Sequence, residues 1–530
     1  MGDTMRTARL RIVAPLAVLV LGVGGSGCTD TIVEPKSTVT GVNVFTDRAA
    51  YRSFLAKIYG GLVVTGQQGP AGNGDIQGID EGFSQYLRQY WQMQELPTDE
   101  ALIGWGDAGL PELNTHNWSS SNQFFAAMYA RIYFQVGMTN EFLRETTAAK
   151  LGARGHEDIA EIAQYRAEAR ALRALSYYHG IDLFGDISLV TEDFAIGATP
   201  PPQHTRAEVF DFVVAELEEI RSELPPAGGG QYGRIDQGGV DMLLAKLYLN
   251  SGVFTGTERY AQALQAAERV IGSGAYSLDD VYQDIFLADN HTSPEIIFAI
   301  PQDGTRTQTW GGMTFLVHAA VGGTMDPADY GLDGGWWGLR VTPQFVALFE
   351  AGVGGPDGRT DIFYTDGQSL TVESLSDFAK GYAYPKFQNV TKTGEPGSHP
   401  TFPDTDFPMF RLADAYLMYA EAHLRGGGGS LATALGYVNE LRERAYGDTS
   451  GNLATLSLAD VLAERGRELA WEAHRRQDLV RFGLYTGGDY IWAWKGGSPA
   501  GSATEPFRAL YPIPATELLA NPNLEQNAGY

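Results

Sequence analysis

Three carboxylates and one tryptophan lie close together in the segment PTDEALIGWGDAG, residues Pro97 to Gly109. They are Asp99, Glu100 and Asp107, with Trp105 between the last two. Two carboxylates beside a sugar stacked on an aromatic ring could act as acid and as nucleophile or base in glycoside hydrolysis. The same acidic residues would also suit the start of a helix, where the helix dipole favours negative charge. Both interpretations stay open, because proximity in sequence does not fix the separation of two carboxyl groups.

A second aromatic segment, MDPADYGLDGGWWGLRVTP, runs from Met325 to Pro343. Trp336 and Trp337 lie among glycines there, with Tyr330 and Asp333 nearby. A tryptophan face suits a sugar ring, whose C–H face is apolar, while neighbouring carboxylates accept hydrogen bonds from its hydroxyls. The alternative is that both side chains are buried as anchors of the loop. Because consecutive side chains point in different directions, we expect at least one of the two tryptophans in the core.

The single cysteine among the 530 residues is Cys28. It follows three arginines (Arg6, Arg9 and Arg11), the apolar stretch Ile12 to Gly24 and three small residues, an arrangement typical of a secretory signal. The apolar stretch is shorter than the roughly 20 residues that a membrane-spanning helix needs. A cysteine at this place resembles the bacterial lipoprotein box, in which the thiol receives a diacylglyceryl group. The alternative is an unmodified thiol beside an ordinary cleavage site.

Helical periodicity dominates the chain beyond Thr46. In RYAQALQAAERVIGSGAYSL, the residues Tyr260, Leu264, Ala267 and Ile271 share one predicted helix face. RLADAYLMYAEAHLRGGGGSLATALGYVNELRERA predicts two packed helices around a run of four glycines, in the style of tetratricopeptide hairpins. Further helices are predicted at Asp47 to Tyr59, Ser121 to Thr146, His156 to Leu183, Arg206 to Leu224, Val240 to Asn250 and Leu458 to Phe482.

These patterns predict the domain organisation. We expect a lipoprotein signal peptide at residues 1–27, and a lipidated cysteine with a flexible tether at 28–45. An α-helical domain is expected at 46–530, with a loop-rich insertion at about 299–410 where helical periodicity fades. Loops on a rigid scaffold are where binding residues concentrate.

Charged residues alternate at helical spacing in ERGRELAWEAHRRQDLVRFG, Glu464 to Gly483. Glu468, Glu472 and Arg476 fall on one helix face. The pattern predicts a lattice of exposed ion pairs within one helix, each contributing a few tenths of a kcal/mol.

Composition excludes several classes of function. Lys and Arg number 38 against 64 Asp and Glu, and the resulting net charge of −26 repels nucleic acid phosphates. The segment GGGQYG, residues 228–233, fits a dinucleotide-binding glycine pattern, but it follows two prolines rather than a buried strand. The chain has neither a GxxxxGK[ST] phosphate loop nor an HExxH metal helix, and one cysteine excludes a thiolate cluster within a single chain. We therefore expect no metal and no cofactor.

Several segments together resemble one family, the SusD/RagB nutrient-uptake outer-membrane lipoproteins. They include ALRALSYYHGIDLFGDISLV, AERVIGSGAYSL, GYAYPKFQN, RLADAYLMYAEAHL, ERGRELAWEAHRRQDLVRFG and LYPIPATELLANPNLEQNAGY. They occur in family order from about Thr46 to Tyr530, and the cysteine after the signal agrees with them.

The resemblance implies a mostly α-helical fold, in which tetratricopeptide-like helix pairs support an irregular, loop-rich ligand-binding region. It also implies a protein without enzymatic activity that binds an oligosaccharide or a peptide and delivers it to a SusC-like, TonB-dependent outer-membrane transporter. The implied location is the outer membrane of a Gram-negative bacterium, with a lipid anchor at Cys28 and the protein facing the cell exterior. Some members of the family hold structural calcium, but no ligand spacing in this sequence demands it.

Aromatic side chains on loops are implied to hold the ligand. The candidate ligand-binding residues are Trp105, Asp107, Trp310, Tyr330, Asp333, Trp336 and Trp337. Two other functions remain as alternatives, a glycoside hydrolase using Asp99, Glu100 or Asp107, and a helical-repeat scaffold protein of the cell envelope.

Overall fold

The structure, a computed structural model, describes residues 44–195, 197 and 199–530. The chain divides into two units, Met1–Val44 and Phe45–Tyr530. The predicted signal peptide, Cys28 and nearly all of the predicted tether lie outside the described residues.

Helices are the main regular structure of the second unit and strands are few and short, so the predicted mostly α-helical class is confirmed. In chain order, the α-helices are α1 (Ala49–Val63), α2 (Tyr86–Glu95), α3 (Leu110–Thr115), α4 (Gln123–Glu145), α5 (Ala148–Arg154), α6 (Ile162–Phe184), α7 (Arg206–Ile220), α8 (Gln237–Leu249), α9 (Ser251–Thr255), α10 (Tyr260–Gly272), α11 (Gly312–Ala319), α12 (Pro343–Val346), α13 (Leu412–Leu424), α14 (Leu431–Tyr446), α15 (Leu458–Glu468), α16 (Arg475–Arg481) and α17 (Ala515–Ala520).

Most of the long helices pack in pairs, several of them between helices that are close in the chain. The main pairings are α4 with α6, α6 with α7, α8 with α10, α10 with α13, and α13 with α14. Helix α10 buries Leu264 and Ala267 as its periodicity predicts, whereas Tyr260 and Ile271 lie at the edge of the buried face. Polar caps fix where helices begin, because the Thr205 side chain accepts from the Glu208 N–H and Glu208 bonds back, which satisfies two otherwise free amides.

Short antiparallel strand pairs tie the loops to the helices. The strands are β1 (Leu102–Ile103), β2 (Ile187–Ser188), β3 (Gln203–His204), β4 (Ile296–Ile300), β5 (Leu339–Arg340) and β6 (Phe407–Arg411). They pair as β1 with β5, β2 with β3, and β4 with β6. Between β4 and β6, a long stretch of loops contains the short helices α11 and α12, strand β5 and 3-10 turns such as Pro327–Tyr330.

The predicted long helix Leu458 to Phe482 is wrong, because the chain breaks between α15 and α16. Trp471 and Ala473 adopt left-handed backbone angles, with φ of 62° and 64°. Non-glycine residues seldom adopt this conformation, and such strain persists only where the surrounding structure enforces it. Here the break places Glu472 beside Lys386 Nζ at 2.6 Å and Arg411 Nε at 2.6 Å.

The charged run also differs from its prediction, because its side chains are buried and pair across elements. Arg411 Nη1, at the end of β6, lies 2.7 Å from Glu468 and 2.7 Å from Glu295. Arg359 contacts Glu468 and also Glu464, at 2.9 Å and 2.6 Å. Burial opposes the charge of Glu464, but Arg359 and Arg467 outweigh it and lower its pKa to about 2. We call this set the buried charge network: Glu295, Arg359, Lys386, Arg411, Arg444, Glu464, Glu468 and Glu472.

Candidate ligand-binding site

Strand pairing brings Trp105 and Trp336 together although 231 positions separate them. Trp105 follows β1 and Trp336 precedes β5, and these strands pair in the register Leu102 with Arg340 and Ile103 with Leu339. Trp105 Nε1 donates to the Trp336 carbonyl at 3.0 Å, and the two ring centroids lie 6.2 Å apart. Gly338 permits this approach, because a Cβ there would lie 2.7 Å from the Trp105 ring.

Helix α11 holds Trp336 in place through contacts with His318. The Trp336 ring stacks on His318, with centroids 4.6 Å apart and planes inclined by 17°. The Trp336 amide donates to the His318 carbonyl at 2.8 Å. The two His318 ring nitrogens lie 2.6 Å from Gly334 O and 2.8 Å from Thr401 O. These contacts fix the Trp336 ring plane before any ligand arrives.

Trp310 completes the aromatic surface just before α11. Its ring lies 6.2 Å from that of Trp336 and 5.2 Å from that of Phe402. Glu81 accepts from the Trp310 amide at 3.0 Å, and Trp310 Nε1 donates to Pro70 O at 3.1 Å. Although fixed in this way, Trp310 remains 39% exposed, while Trp105 and Trp336 are partly exposed. We call Trp105, Trp310 and Trp336 the tryptophan cluster.

A buried arginine, Arg88, lies against one side of the tryptophan cluster. The Arg88 guanidinium sits 4.3 Å from the Phe83 ring centroid, 4.2 Å from that of Phe315 and 5.7 Å from that of Trp105. Burial lowers the Arg88 pKa to about 9, against the attraction of nearby acidic residues that include Asp107. Arginine stacked between rings holds them at fixed spacing, so this contact makes the aromatic surface rigid.

The two candidate acidic residues lie at the edges of the cluster. Asp107 is exposed, two positions after Trp105. Asp333 is also exposed, and its carboxylate accepts from the Thr401 hydroxyl, next to Phe402. Both carboxylates can accept hydrogen bonds from a ligand that lies across the rings.

Tyr330 and Trp337 lie in other surroundings. Trp337, with φ of 55°, packs against Phe378 at 6.1 Å and is 54% exposed. Tyr330 lines a cleft of about 480 Å³ together with Tyr364, Val281 and Gln388, and no tryptophan lines that cleft in the described part of the chain. The structure therefore joins three of the four candidate tryptophans and places Tyr330 and Trp337 outside that group.

Both interpretations of the Asp99 and Glu100 pair are wrong. The two residues precede β1 rather than starting a helix, and both side chains are buried, at 0% and 1% exposure. Arg475 and Tyr490 bind Asp99, at 2.7 Å and 2.6 Å. Burial raises the pKa of Glu100 to about 8, and its carboxyl faces Glu95 inside the protein. These two side chains cannot reach a sugar, so Asp99 and Glu100 do not form a carboxylate pair for hydrolysis.

Sequence reasoning missed Phe402, Arg88 and His318 as parts of the site. Phe402 belongs to the segment SHPTFPDTD, whose clustered prolines and acids give no periodic signal. Arg88 and His318 are on helices whose spacing indicates only burial. In residues 44–195, 197 and 199–530, no three His, Cys, Asp or Glu side chains are grouped to hold a metal ion. Over the same residues, no helix is both long and apolar enough to cross a membrane.

Comparison with known proteins decides the family. Residues 363–530 match the sequence profile of the SusD family. The chain is also 35% identical to the starch-binding protein SusD of Bacteroides thetaiotaomicron, over 97% of each sequence. The chain belongs to the SusD family. The resemblance drawn from the sequence segments is thereby confirmed.

Solved SusD structures share the fold. A SusD superfamily protein from Bacteroides thetaiotaomicron VPI-5482 superposes with a TM-score of 0.71 at 22% identity, covering 91% of this chain and 99% of that one. Surface glycan-binding protein A from Bacteroides thetaiotaomicron, solved in complex with laminarihexaose, gives a TM-score of 0.69 at 19% identity. That match covers 90% of this chain and 99% of the glycan-binding protein. The helix pairs described above are thus the tetratricopeptide-like scaffold of SusD proteins.

Proposed function

We propose that this SusD-family protein binds an oligosaccharide on the tryptophan cluster and does not cleave it. The observation that carries the proposal is the arrangement of three tryptophans from distant parts of the chain. The ring of Trp336 lies between the other two, with its centroid 6.2 Å from that of Trp105 and 6.2 Å from that of Trp310. Consecutive sugar rings present apolar faces at regular intervals, and a row of fixed indoles matches that repeat. The names of two similar proteins, a starch-binding and a glycan-binding one, support this ligand class.

The burial of two candidate carboxylates supports binding without cleavage. Of the three carboxylates considered for hydrolysis, Asp99 and Glu100 are buried and paired, and only Asp107 is exposed beside the cluster. A glycosidase of the usual kind needs two carboxyl groups on either side of one glycosidic bond. The proposed role is therefore capture, with Asp107 and Asp333 accepting hydrogen bonds from sugar hydroxyls.

Delivery and anchoring extend the proposal. We infer that the captured oligosaccharide passes to a SusC-like, TonB-dependent transporter, and that lipid on Cys28 holds the protein on the outer membrane, facing the exterior. Each buried methylene of an acyl chain contributes about 0.8 kcal/mol, so several chains would give durable attachment. The net charge of −26 suits an uncharged ligand better than an anionic one.

Calorimetric titration with maltohexaose and laminarihexaose tests the capture role, with product analysis on the same samples. We expect saturable binding without products, and loss of binding in Trp310→Ala. Trp337→Ala is the matched control, because that indole is even more exposed but lies outside the cluster. Release of shorter sugars would instead support a hydrolase, and equal loss in both variants would contradict the assignment of the site to the cluster. No binding to any oligosaccharide would favour the scaffold alternative.

A further inference from the structure

We propose that the cleft beside Tyr330 is a second binding site, for a neutral saccharide of one or two rings, separate from the tryptophan cluster. The cleft measures about 480 Å³, inside the range of roughly 300–1,000 Å³ that small-molecule sites occupy. We call it the Tyr330 cleft. The inference goes beyond the proposed function, because it adds a site that the cluster does not need.

Five separate segments form the Tyr330 cleft. The lining residues are 280–283, Tyr330, 358–359 with 361–364, Pro385 with Gln388, and 444–445 near the end of α14. Convergence of distant segments on one concavity resembles a built site more than a gap between two neighbouring loops.

The floor of the cleft is held rigidly by the buried charge network. Arg359 lines the cleft, and it is bound by Asp357 at 2.7 Å as well as by Glu464 and Glu468. Arg444 lines it too, with Nη1 2.6 Å from Glu295. Both side chains are at least nine-tenths buried. A ligand would meet a preformed surface, so little ordering entropy would be lost on binding.

The wall of the cleft offers apolar faces together with a hydrogen-bond acceptor. Tyr330 and Tyr364 are partly exposed, and the buried side chains Ile362 and Phe363 also line the cleft. Gln283 Nε2 donates to Lys386 O at 2.7 Å, which leaves Gln283 Oε1 buried without a partner among the described residues. A buried acceptor with no donor is unfavourable, and a ligand hydroxyl that donates to it would remove that cost.

Charge narrows the ligand class to neutral molecules. The guanidinium groups of Arg359 and Arg444 are already paired with carboxylates, so they offer no free positive charge to an anion. Asp280 and Asp361, both exposed, also line the cleft and would repel an anion. A ligand with hydroxyl donors, an apolar face and no negative charge fits these surroundings, and a saccharide ring has all three properties.

The test uses calorimetry with maltose, cellobiose and laminaribiose on the double variant Trp310→Ala/Trp336→Ala, after circular dichroism has shown that it is folded. Because the cleft is independent of the cluster, we expect binding of at least one disaccharide with one site per chain. Tetraglycine, which offers amide donors without a ring face, is the control ligand and should not bind. If none of the three disaccharides binds, or if tetraglycine binds instead, the proposal is overturned.

Two further variants locate the binding. Val281→Tyr should fill the cleft, and Tyr330→Ala should remove one face. Each should weaken disaccharide binding about tenfold or more, which corresponds to about 1.4 kcal/mol. Val281 is 51% exposed, so the larger side chain can enter without disturbing the core, and Val353→Tyr at another exposed valine is the matched control. Equal affinities in Val281→Tyr, Tyr330→Ala and the parent would contradict the site.

The outcome is distinguishable from that of the proposed function. No tryptophan lines the Tyr330 cleft within the described chain, so a fluorescence change with maltohexaose or laminarihexaose that the wild type shows and Trp310→Ala/Trp336→Ala lacks reports on the tryptophan cluster. If the hexasaccharides cause no change in indole fluorescence, the capture role of the cluster is rejected. If a disaccharide still binds and Val281→Tyr abolishes that binding, the second site is supported on its own.

Discussion

The buried charge network and the tryptophan cluster use side chains in opposite ways. In the network, charged residues usually found at the surface are enclosed, as with Arg411, which is 1% exposed and contacts three carboxylates. In the cluster, indoles usually found in the core are left in contact with solvent, as with Trp310 at 39% exposure. The difference separates two tasks, because a satisfied buried charge fixes the position of elements whereas an unburied aromatic ring is available to a ligand.

The two regions should also respond differently to substitution. Loss of a network residue leaves buried charges unpaired and should affect folding. Loss of a cluster residue removes a ligand contact and should affect binding while the fold persists. Each of the following predictions tests this distinction, from the largest expected effect to the smallest.

Arg411→Met should lower the free energy of unfolding by about 3–5 kcal/mol, because Glu295, Glu468 and Glu472 would lose their shared cation. Urea denaturation of the purified protein measures the change. The control is Arg306→Met, whose side chain is 84% exposed and 3.7 Å from Asp303, and it should change stability by less than about 0.5 kcal/mol. Similar effects of the two substitutions would show that burial of the network does not govern stability.

Trp336→Ala should weaken oligosaccharide binding by about 2 kcal/mol or more, because the indole lies between Trp105 and Trp310 at the centre of the cluster. Titration calorimetry measures the affinity, and urea denaturation of the same variant measures its stability. Trp337→Ala is the matched control and should bind like the wild type. A variant that unfolds as readily as Arg411→Met would mean that Trp336 serves the fold as much as the ligand.

Glu100→Gln should flatten the pH dependence of stability. Burial raises the Glu100 pKa in the folded protein to about 8, so between about pH 4.5 and 8 the folded state holds a proton that the unfolded chain has released. Stability contributed by this group is therefore present at low pH and lost as pH rises, at about 1.4 kcal/mol per pH unit. Glutamine does not titrate, so the variant should lose the contribution of Glu100, whereas the neighbouring Glu95, whose pKa burial also raises, keeps its own.

Urea denaturation between pH 5 and 8 measures that slope, since one proton contributes about 1.4 kcal/mol per pH unit. Glu505→Gln, at an exposed position, is the control and should keep the wild-type slope. If Glu100→Gln and the wild type show the same pH dependence, the buried carboxyl does not hold its proton.

Asp107→Asn should have the smallest effect. Asp107 is exposed at the edge of the cluster, and we expect both affinity and stability to change by less than about 0.5 kcal/mol. Calorimetry and urea denaturation again provide the measurements. A loss of affinity as large as that of Trp336→Ala would instead place Asp107 at the centre of ligand binding.

Sequence periodicity predicted most of the helical part of the fold. The predicted Arg206 to Leu224 appears as α7 with a terminal 3-10 turn, and Ser121 to Thr146 appears as α4 within two residues at its start. These elements are local, so apolar spacing and caps are enough to define them. The long helix Leu458 to Phe482 failed because its break depends on Lys386 and Arg411, which lie far away in the chain.

The sequence predicted which types of residue form the candidate site, but not which of those residues lie together. Trp105, Trp310 and Trp336 were identifiable as aromatic residues on loops, but their contact depends on pairing between β1 and β5. Short strands with non-local pairing carry little signal in one sequence, because two residues cannot show periodicity. For the same reason, the separation of Trp337 from Trp336 became evident only when φ at Trp337 and its packing on Phe378 were known.

Ligand capture by the tryptophan cluster is tested most directly by a crystal structure of the protein with maltohexaose or laminarihexaose, whichever binds more tightly. We expect sugar rings in van der Waals contact with Trp310 and Trp336, joined by an intact glycosidic bond. Oligosaccharide bound elsewhere, with the tryptophan cluster left open to solvent, would contradict the proposal that the cluster captures the ligand.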